Sequence, residues 1–277
     1  MRINFVTAAD ERFASYRYRI LIPARHLPGK HEVIIGGFVE ADVHVFSKHF
    51  DYEDQQRARR CSRVVFDMCD NHFSTAHEAH YRSMIDAAGT ITCPTAAMCE
   101  VVKLETGREA VLIEDPYELP EVAASLQQVR RLLWFGHSAN IGGILAELPR
   151  LAGYETELVT DGVQDITHTA WSLPNLLSAM ARSDLVIIPV IRDERTPVKS
   201  ANRAVESIRQ GKYVIANPLP AYADLGIWQG DILEGVTWAA RHPDEANALT
   251  LKAQALVNQR FDPSKIGREW EKLLLSA

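Results

Sequence analysis

Thr196-Pro-Val-Lys-Ser-Ala-Asn-Arg-Ala-Val-Glu-Ser-Ile-Arg-Gln-Gly-Lys-Tyr-Val-Ile-Ala-Asn-Pro-Leu-Pro-Ala-Tyr222 is the stretch whose reading decides the fold. Pro197 fixes a φ suited to the first turn of a helix, and Ser200 to Gln210 carries helical spacing. Gly211 ends that helix. Tyr213-Val-Ile-Ala216 is the apolar run of a buried strand, and Asn217-Pro-Leu-Pro220 closes it as a proline-rich loop. Lys199 and Ser200 fall at the expected helix start, where free N–H groups and the positive dipole end favour a phosphate. Lys199, Arg203 and Glu206 stand at i, i+4 and i+7, on one face. A cation at the helix end with a carboxylate deeper in matches a nucleotide, its phosphate at the N-terminus and its ribose at Glu206. The same spacing also describes a surface helix with Arg203 and Glu206 as an i, i+3 pair, worth roughly 0.2–0.5 kcal/mol.

Outward from this stretch, short β-rich runs alternate with helical segments. Strands are expected at Ile3 to Val6, Val33 to Ile35, Val43 to Phe46, Val64 to Phe66, Thr90 to Thr92 and Val111 to Ile113. A second series follows at Leu132 to Phe135, Thr156 to Val159, Leu185 to Pro189 and Tyr213 to Ala216. Near-continuous apolar strands alternating with helices imply parallel sheets covered on both faces. Glu114-Asp-Pro-Tyr-Glu-Leu-Pro120, with two prolines and three acids, reads as a linker. The expected architecture is therefore α/β: two Rossmann-like lobes, residues 1–118 and 125–259, with a C-terminal helix over 260–277. Ligands of such folds bind at the carboxyl ends of strands, so a cleft between the lobes is the expected site.

Composition narrows the function classes. With 47% hydrophobic and 24% charged residues the chain is globular rather than disordered. Residues 1–124 hold 14 basic against 19 acidic residues and the remainder 16 against 17, so neither half is a basic nucleic-acid-binding domain. Cys61, Cys69, Cys93 and Cys99 lack the CxxC spacing of a zinc site and read as small buried residues in a reducing compartment. No apolar run reaches the roughly 18 residues of a membrane span, and Met1 to Val6 is too short for a signal segment, so a cytoplasmic protein is expected.

The stretch from Lys199 resembles the donor-site motif of GT-B glycosyltransferases, the group that includes the retaining family-four enzymes. Their Lys, Asn-Arg, Glu-Ala, Gly and Pro-Val-Val-Ala strand stand here as Lys199, Asn202-Arg203, Glu206-Ser207, Gly211 and Tyr213-Val-Ile-Ala216. Leu132-Leu-Trp-Phe-Gly136, followed by Asn140, is similar to the first strand and glycine loop of their nucleotide-binding lobe. Ala88 to Thr95 and Val111 to Pro116 resemble later pieces of the N-terminal lobe. The resemblance covers most of the chain in order. It implies sugar transfer from a nucleotide-diphosphate donor to a hydroxyl acceptor, metal-independent and with retention, and no cofactor beyond the donor. On the donor side it places Gly136, His137, Asn140, Arg195, Lys199, Ser200, Arg203 and Glu206, with Lys199 on the diphosphate and Glu206 on the ribose. The chain departs from the pattern twice. Val198 stands where the family often has a sugar-contacting Glu, and His137 follows Gly136 where an Arg is expected, leaving Arg192 or Arg195 as a second cation.

In the N-terminal half, Phe66-Asp-Met-Cys-Asp-Asn-His72 ends a strand, so Asp67, Asp70 and His72 face the expected cleft. Asp70, His72 and Lys199 are the catalytic candidates, with Asp70 or Asn71 equally able to cap the next helix. Arg17 and Arg19, with Asp67, are the acceptor-side candidates, against a solvated helix face. His77, Glu78 and His80 lack HExxH spacing, and no metal site is expected. Arg57, Arg59, Arg60 and Arg63 form either a solvated surface or a contact for a polyanion. They keep a rival open, transfer to a modified base in DNA. A non-catalytic nucleotide-binding relative is the other, and the absence of GxGxxG after either first strand argues against a dehydrogenase.

Overall fold

The computed structural model describes residues 1–48, 51–163, 165–191, 193 and 196–276. The chain divides into two compact units. The first is Met1–Glu118 with Pro197–Ser200 and Phe261–Ala277, and the second is Leu119–Thr196 with Ala201–Arg260.

In the first unit, among the described residues, six strands run β1 (Arg2–Val6), β2 (Glu32–Gly36), β3 (Val43–Ser47), β4 (Val64–Asp67), β5 (Thr90–Cys93) and β6 (Val111–Leu112). They form one parallel sheet in the order β2-β1-β3-β4-β5-β6. Side chains alternate across a strand, and both faces are apolar. Ile3, Phe5, Val43, Val45 and Val65 point to a core that also holds Ile266, Trp270 and Leu274. Val6, Phe46, Val64 and Phe66 point to the other core, with Met84, Ile85 and Met98. The helices Tyr52–Ala58, Glu78–Ala87 and Ala96–Thr106 connect the strands; neither Asp70 nor Asn71 caps Glu78–Ala87, whose N-cap is His77, and Asn71 Oδ1 instead accepts from Phe73 N at 3.0 Å. Asp51 accepts from Glu53 N at 2.9 Å, and Thr95 accepts from Met98 N at 3.1 Å. Pro263–Ser276, the last helix, packs into this first unit, with Trp270 edge-on to Phe5 at 6.2 Å.

In the second unit the strands are β7 (Arg131–Phe135), β8 (Glu155–Thr160), β9 (Thr169–Ala170), β10 (Leu185–Ile188), β11 (Tyr213–Ala216) and β12 (Trp228–Gln229), again among the described residues. Their order is β12-β11-β10-β7-β8-β9, all parallel. Leu132, Trp134, Leu185, Ile187, Tyr213 and Ile215 share one core, and the alternate residues Leu133, Phe135, Val186, Ile188 and Val214 are equally buried. The helix expected from Ser200 instead spans Asn202–Arg209. It ends at Gly211, whose φ of +68° brings its α-carbon against the backbone, where a Cβ would lie 2.6 Å from Ala123 O. No described helix is long and apolar enough to cross a membrane.

Candidate active site

In the second unit, β7 and β8 lead outward one way and β10 and β11 the other, so the winding reverses between β7 and β10. The carboxyl ends of those strands are where a doubly wound sheet holds its ligand. Gly136 follows β7 there, and a Cβ on it would sit 3.4 Å from Arg203 Nη1. Arg203 Nη1 in turn donates to Phe135 O at 3.4 Å, a long bond that leaves most of the guanidinium uncommitted. Burial lowers the Arg203 pKa, opposed only by the Tyr222 hydroxyl, and no carboxylate pairs with it among the described residues. A half-buried cation without a counter-charge is costly unless an anion completes it. The helix bearing Arg203 starts at the N-cap Ala201, which contributes no side-chain bond, so its first N–H groups have no side-chain cap.

The loop after Gly136 is pinned in place. His137 Nδ1 accepts from Ala139 N at 3.1 Å, which leaves Nε2 as the donor to Asp161 Oδ2 at 3.1 Å. Asp161 also accepts from Ser138 N at 2.5 Å. Burial raises the Asp161 pKa, but the Ser138 N–H and the neighbouring His137 bring it below the ordinary value. Asn140 closes the short turn Ser138–Asn140 and is half-buried. Gly143, which the sequence reading passed over, meets the loop after β10, where an added Cβ would lie 2.7 Å from Pro189 O.

The geometry around Lys199 differs from the expectation in three ways. Lys199 and Ser200 are not on the helix, which begins at Asn202, so they share no helix face with Arg203 and Glu206. They belong with Pro197–Ser200 to the first unit. The cause is Val198, which is 2% exposed within that unit's core, while Thr95 Oγ1 donates to Val198 O at 2.9 Å. The position where the resembled family has a sugar-contacting acid is here a core residue. Glu206 is 1% exposed, and its Oε2 accepts from Leu119 N at 2.9 Å. It presents no open surface to a ribose and forms no ion pair with Arg203 among the described residues. Arg195 and Arg192 lie outside the described residues.

In the first unit the acceptor-side expectations are corrected. Arg19 and Asp67 are each 1% exposed and bind one another, Nη2 to Oδ1 at 2.7 Å. Arg19 also donates to Asp115 Oδ1 at 3.2 Å and to Ile113 O, while Thr92 Oγ1 and Ser47 Oγ donate to Asp67 at 2.7 and 3.0 Å. Burial lowers the Arg19 pKa, but Asp67 and Asp115 outweigh it and raise it overall. This network ties four strand ends together inside the first unit. Arg17 is likewise engaged internally, with Glu118 at 2.9 Å and Glu11 O at 2.7 Å. In the arginine cluster, Arg57 pairs with Glu53 at 2.6 Å and Asp54 at 3.2 Å, and Arg63 binds Leu274 O. Arg59 and Arg60 are exposed, Arg59 Nη2 donating to the neutral Ser83 Oγ at 3.2 Å.

Asp70, His72 and Lys199 do come together in the first unit. Burial would raise the Asp70 carboxyl, yet Lys48 above all, then His72 and Lys199, hold it below its ordinary pKa. Lys48 bonds Asp70 Oδ2 directly, and the pair stays part-exposed, 22% and 41% by side chain. Nothing in the sequence pattern singled out Lys48. His72 Nδ1 lies 3.2 Å from Thr75 Oγ1, and its ring packs 4.7 Å from that of Tyr81.

Neither a protein-family model nor a curated protein sequence matches the chain. Solved structures do. Anabaena HepE, in complexes with UDP and with UDP-glucose, superposes at a TM-score of 0.75 with 14% and 15% identity, over 100% of both chains. An alpha-glucosyltransferase in complex with UDP-glucose and DNA containing an abasic site superposes at 0.71 with 11% identity, over 99% of both chains. TarM gives 0.65 with 8% identity, over 84% of this chain and 54% of its own. The two six-stranded parallel sheets are those of the GT-B glycosyltransferase fold.

Proposed function

We propose that the protein is a glycosyltransferase that takes its sugar from a nucleotide-diphosphate donor and passes it to an acceptor hydroxyl. The observation that carries this reading is Arg203, a half-buried cation without a carboxylate among the described residues, set beside Gly136 at the switch point of the second sheet and on an uncapped helix N-terminus. Together these are the parts of a diphosphate site. The negative charge that develops on the departing diphosphate is stabilised by fixed donors already aimed at it, the largest catalytic contribution available without covalent chemistry. Gly136 permits the close approach, and His137 and Asn140 hold the loop that makes it. Lys199 and Ser200, three and two residues before that helix, are the further donor candidates. Asp70 and His72 are the hydroxyl-binding groups. The fold's likeness to proteins solved with UDP and UDP-glucose supports a uridine nucleotide as the first probe. Metal independence follows from assigning the leaving-group charge to Arg203, Lys199 and backbone N–H groups, and retention from the resemblance of the Lys199 segment to retaining enzymes. The reading keeps Glu206 as the ribose residue only if the carboxylate leaves Leu119 N.

Calorimetric titration tests this directly. UDP should bind the wild type, and Arg203→Met should weaken it by about 10- to 100-fold, the value of a charge-assisted phosphate bond. The reading fails if UDP, ADP, GDP and TDP all leave the wild type unaffected. A DNA acceptor is the second reading, favoured by the full-length superposition on the DNA-bound alpha-glucosyltransferase. Duplex binding whose logarithm falls linearly with log salt supports it, and absence of binding at low salt removes it.

A further inference from the structure

In the second unit, β8 ends at Thr160, and Asp161 follows it, beside the loop that Gly136 opens after β7. Its Oδ1 accepts from Ser138 N at 2.5 Å and from Thr160 Oγ1 at 3.2 Å. Its Oδ2 accepts from Ser138 Oγ at 3.3 Å and from His137 Nε2 at 3.1 Å. Three of these four donors belong to the one loop, and they are an amide N–H, a hydroxyl and an imidazole N–H. Such a convergent set is what holds a phosphate oxygen in an anion site. The other N–H groups of the loop are spent as well. Ala139 N donates to His137 Nδ1 at 3.1 Å, Asn140 N to His137 O at 2.9 Å and Ile141 N to Ser138 O at 3.0 Å. Every backbone N–H from Ser138 to Ile141 therefore has its acceptor inside the unit, whereas Arg203 keeps most of its guanidinium uncommitted. No lysine or arginine pairs with Asp161 among the described residues, and its side chain is 43% exposed. A carboxylate that lies among anion-binding donors, open to water and beside no full cation, can be exchanged for another anion.

We propose that Asp161 is a resident anion in the loop after β7, that it withholds the loop's donors from the diphosphate, and that it keeps nucleotide affinity below what the site could reach. The charge of the diphosphate then rests on Arg203 and the helix N-terminus that bears it, both in the same unit as Asp161. Asp161 acts on the ligand in two ways. It spends Ser138 N–H, Ser138 O–H and His137 Nε2–H internally, and it sets a negative charge beside Gly136, where a phosphate of like sign is repelled. The arrangement suits a transferase that must let its product go. A nucleoside diphosphate held by the loop as well as by Arg203 would leave slowly, and release of product limits turnover in many enzymes. The carboxylate also gives the loop donors a partner whenever the site is empty, so none of them is left unmatched.

This inference rests on the nucleotide-sugar reading, and its test separates the two. The full chain and its Asp161→Asn variant are titrated calorimetrically with UDP, inorganic pyrophosphate and uridine, each at low and at high salt. Asparagine keeps the shape and can still accept from Ser138 N, but it carries no charge. UDP and pyrophosphate should bind Asp161→Asn about 3- to 10-fold more tightly than wild type, the worth of a modest hydrogen bond. Uridine, which has no phosphate, should bind both proteins equally. The gain should shrink toward nothing at about 1 M salt, where charges are screened beyond roughly 3 Å. A purely structural role for Asp161 predicts the opposite sign, weaker binding, with no such response to salt. Should Asp161→Asn not fold, Asp161→Ser, a shorter neutral acceptor, carries the same comparison. Unchanged or weaker UDP binding in the variant, or an equal gain for uridine, overturns the resident anion and leaves the donor reading standing. Absence of UDP binding in wild type and variant alike overturns the donor reading and this inference with it.

Discussion

Arg19 and Asp67 are each 1% exposed, and Thr92, Ser47, Asp115 and Ile113 supply the further hydrogen bonds around the pair. Such a pair gives little net stability as a whole, but removing one member strands the other in a medium that cannot solvate it. Asp67→Ala should therefore cost about 3–5 kcal/mol, read as a lowered urea midpoint by circular dichroism. A change under about 0.5 kcal/mol, the range of an ordinary surface substitution, would show that the network is not what holds these strand ends. The same residues show where a local reading stops. Asp67 and Asp70 are three apart at one strand end, and both qualify as carboxylates facing a ligand. Only the partners distinguish them: Asp67 meets a buried guanidinium from residue 19, whereas Asp70 meets an ammonium that remains at the surface. Those partners are set by tertiary packing, which spacing along the chain does not encode.

At the scale of elements, ten of the strands were legible because each is a compact run of apolar residues between turn signals, as Leu185-Val-Ile-Ile188 illustrates. The edge strands Thr169–Ala170 and Trp228–Gln229 were not, since two residues carry no periodicity. The start of the Arg203 helix was misplaced for a different reason. Pro197 is compatible with a first helical turn, but the chain makes a short 3-10 turn at Thr196–Val198 and sends the Val198 side chain into the first unit's core. Local propensity yielded to burial of one isopropyl group. In the candidate site, Gly136 was legible from its place after a strand, whereas Gly143 owes its role to a loop 46 residues further on. Gly143→Ala should be destabilising by about 1–3 kcal/mol, since the new methyl would sit 2.7 Å from Pro189 O and 3.0 Å from Pro189 C. Because that loop belongs to the switch point, UDP affinity should fall with it. Gly153→Ala, whose added methyl meets nothing within 4 Å, is the control. Equal melting temperatures and UDP affinities in the two variants would remove the close-approach argument.

At the scale of the molecule, neither unit is a continuous piece of chain. The first sheet is completed by residues that arrive after the whole second unit has been made, and their contribution is large. Ile266, Trp270, Leu273 and Leu274 lie over Ile3, Phe5, Val43, Val45 and Val65. At roughly 1.5–3 kcal/mol per large side chain buried, four such residues represent about 6–12 kcal/mol. That is comparable with the roughly 5–15 kcal/mol that holds an ordinary domain folded. Arg63, bound to Leu274 O, and Glu271, accepting from Gly29 N at 2.6 Å and 2.7 Å from His31 Nε2, fasten the same helix by polar contacts. A chain ending at Arg260 should accordingly lose the first unit while the second, whose core contains none of these residues, keeps its fold. Limited proteolysis would then degrade residues 1–118 and protect a fragment beginning near Leu119. UDP binding should persist, because Arg203, Gly136 and the uncapped helix stay in the protected unit. A truncated chain with an intact first unit would mean that the sheet face tolerates water. A truncated chain without any UDP affinity would place the diphosphate chiefly on Lys199, in the first unit, and Arg203 would lose its role.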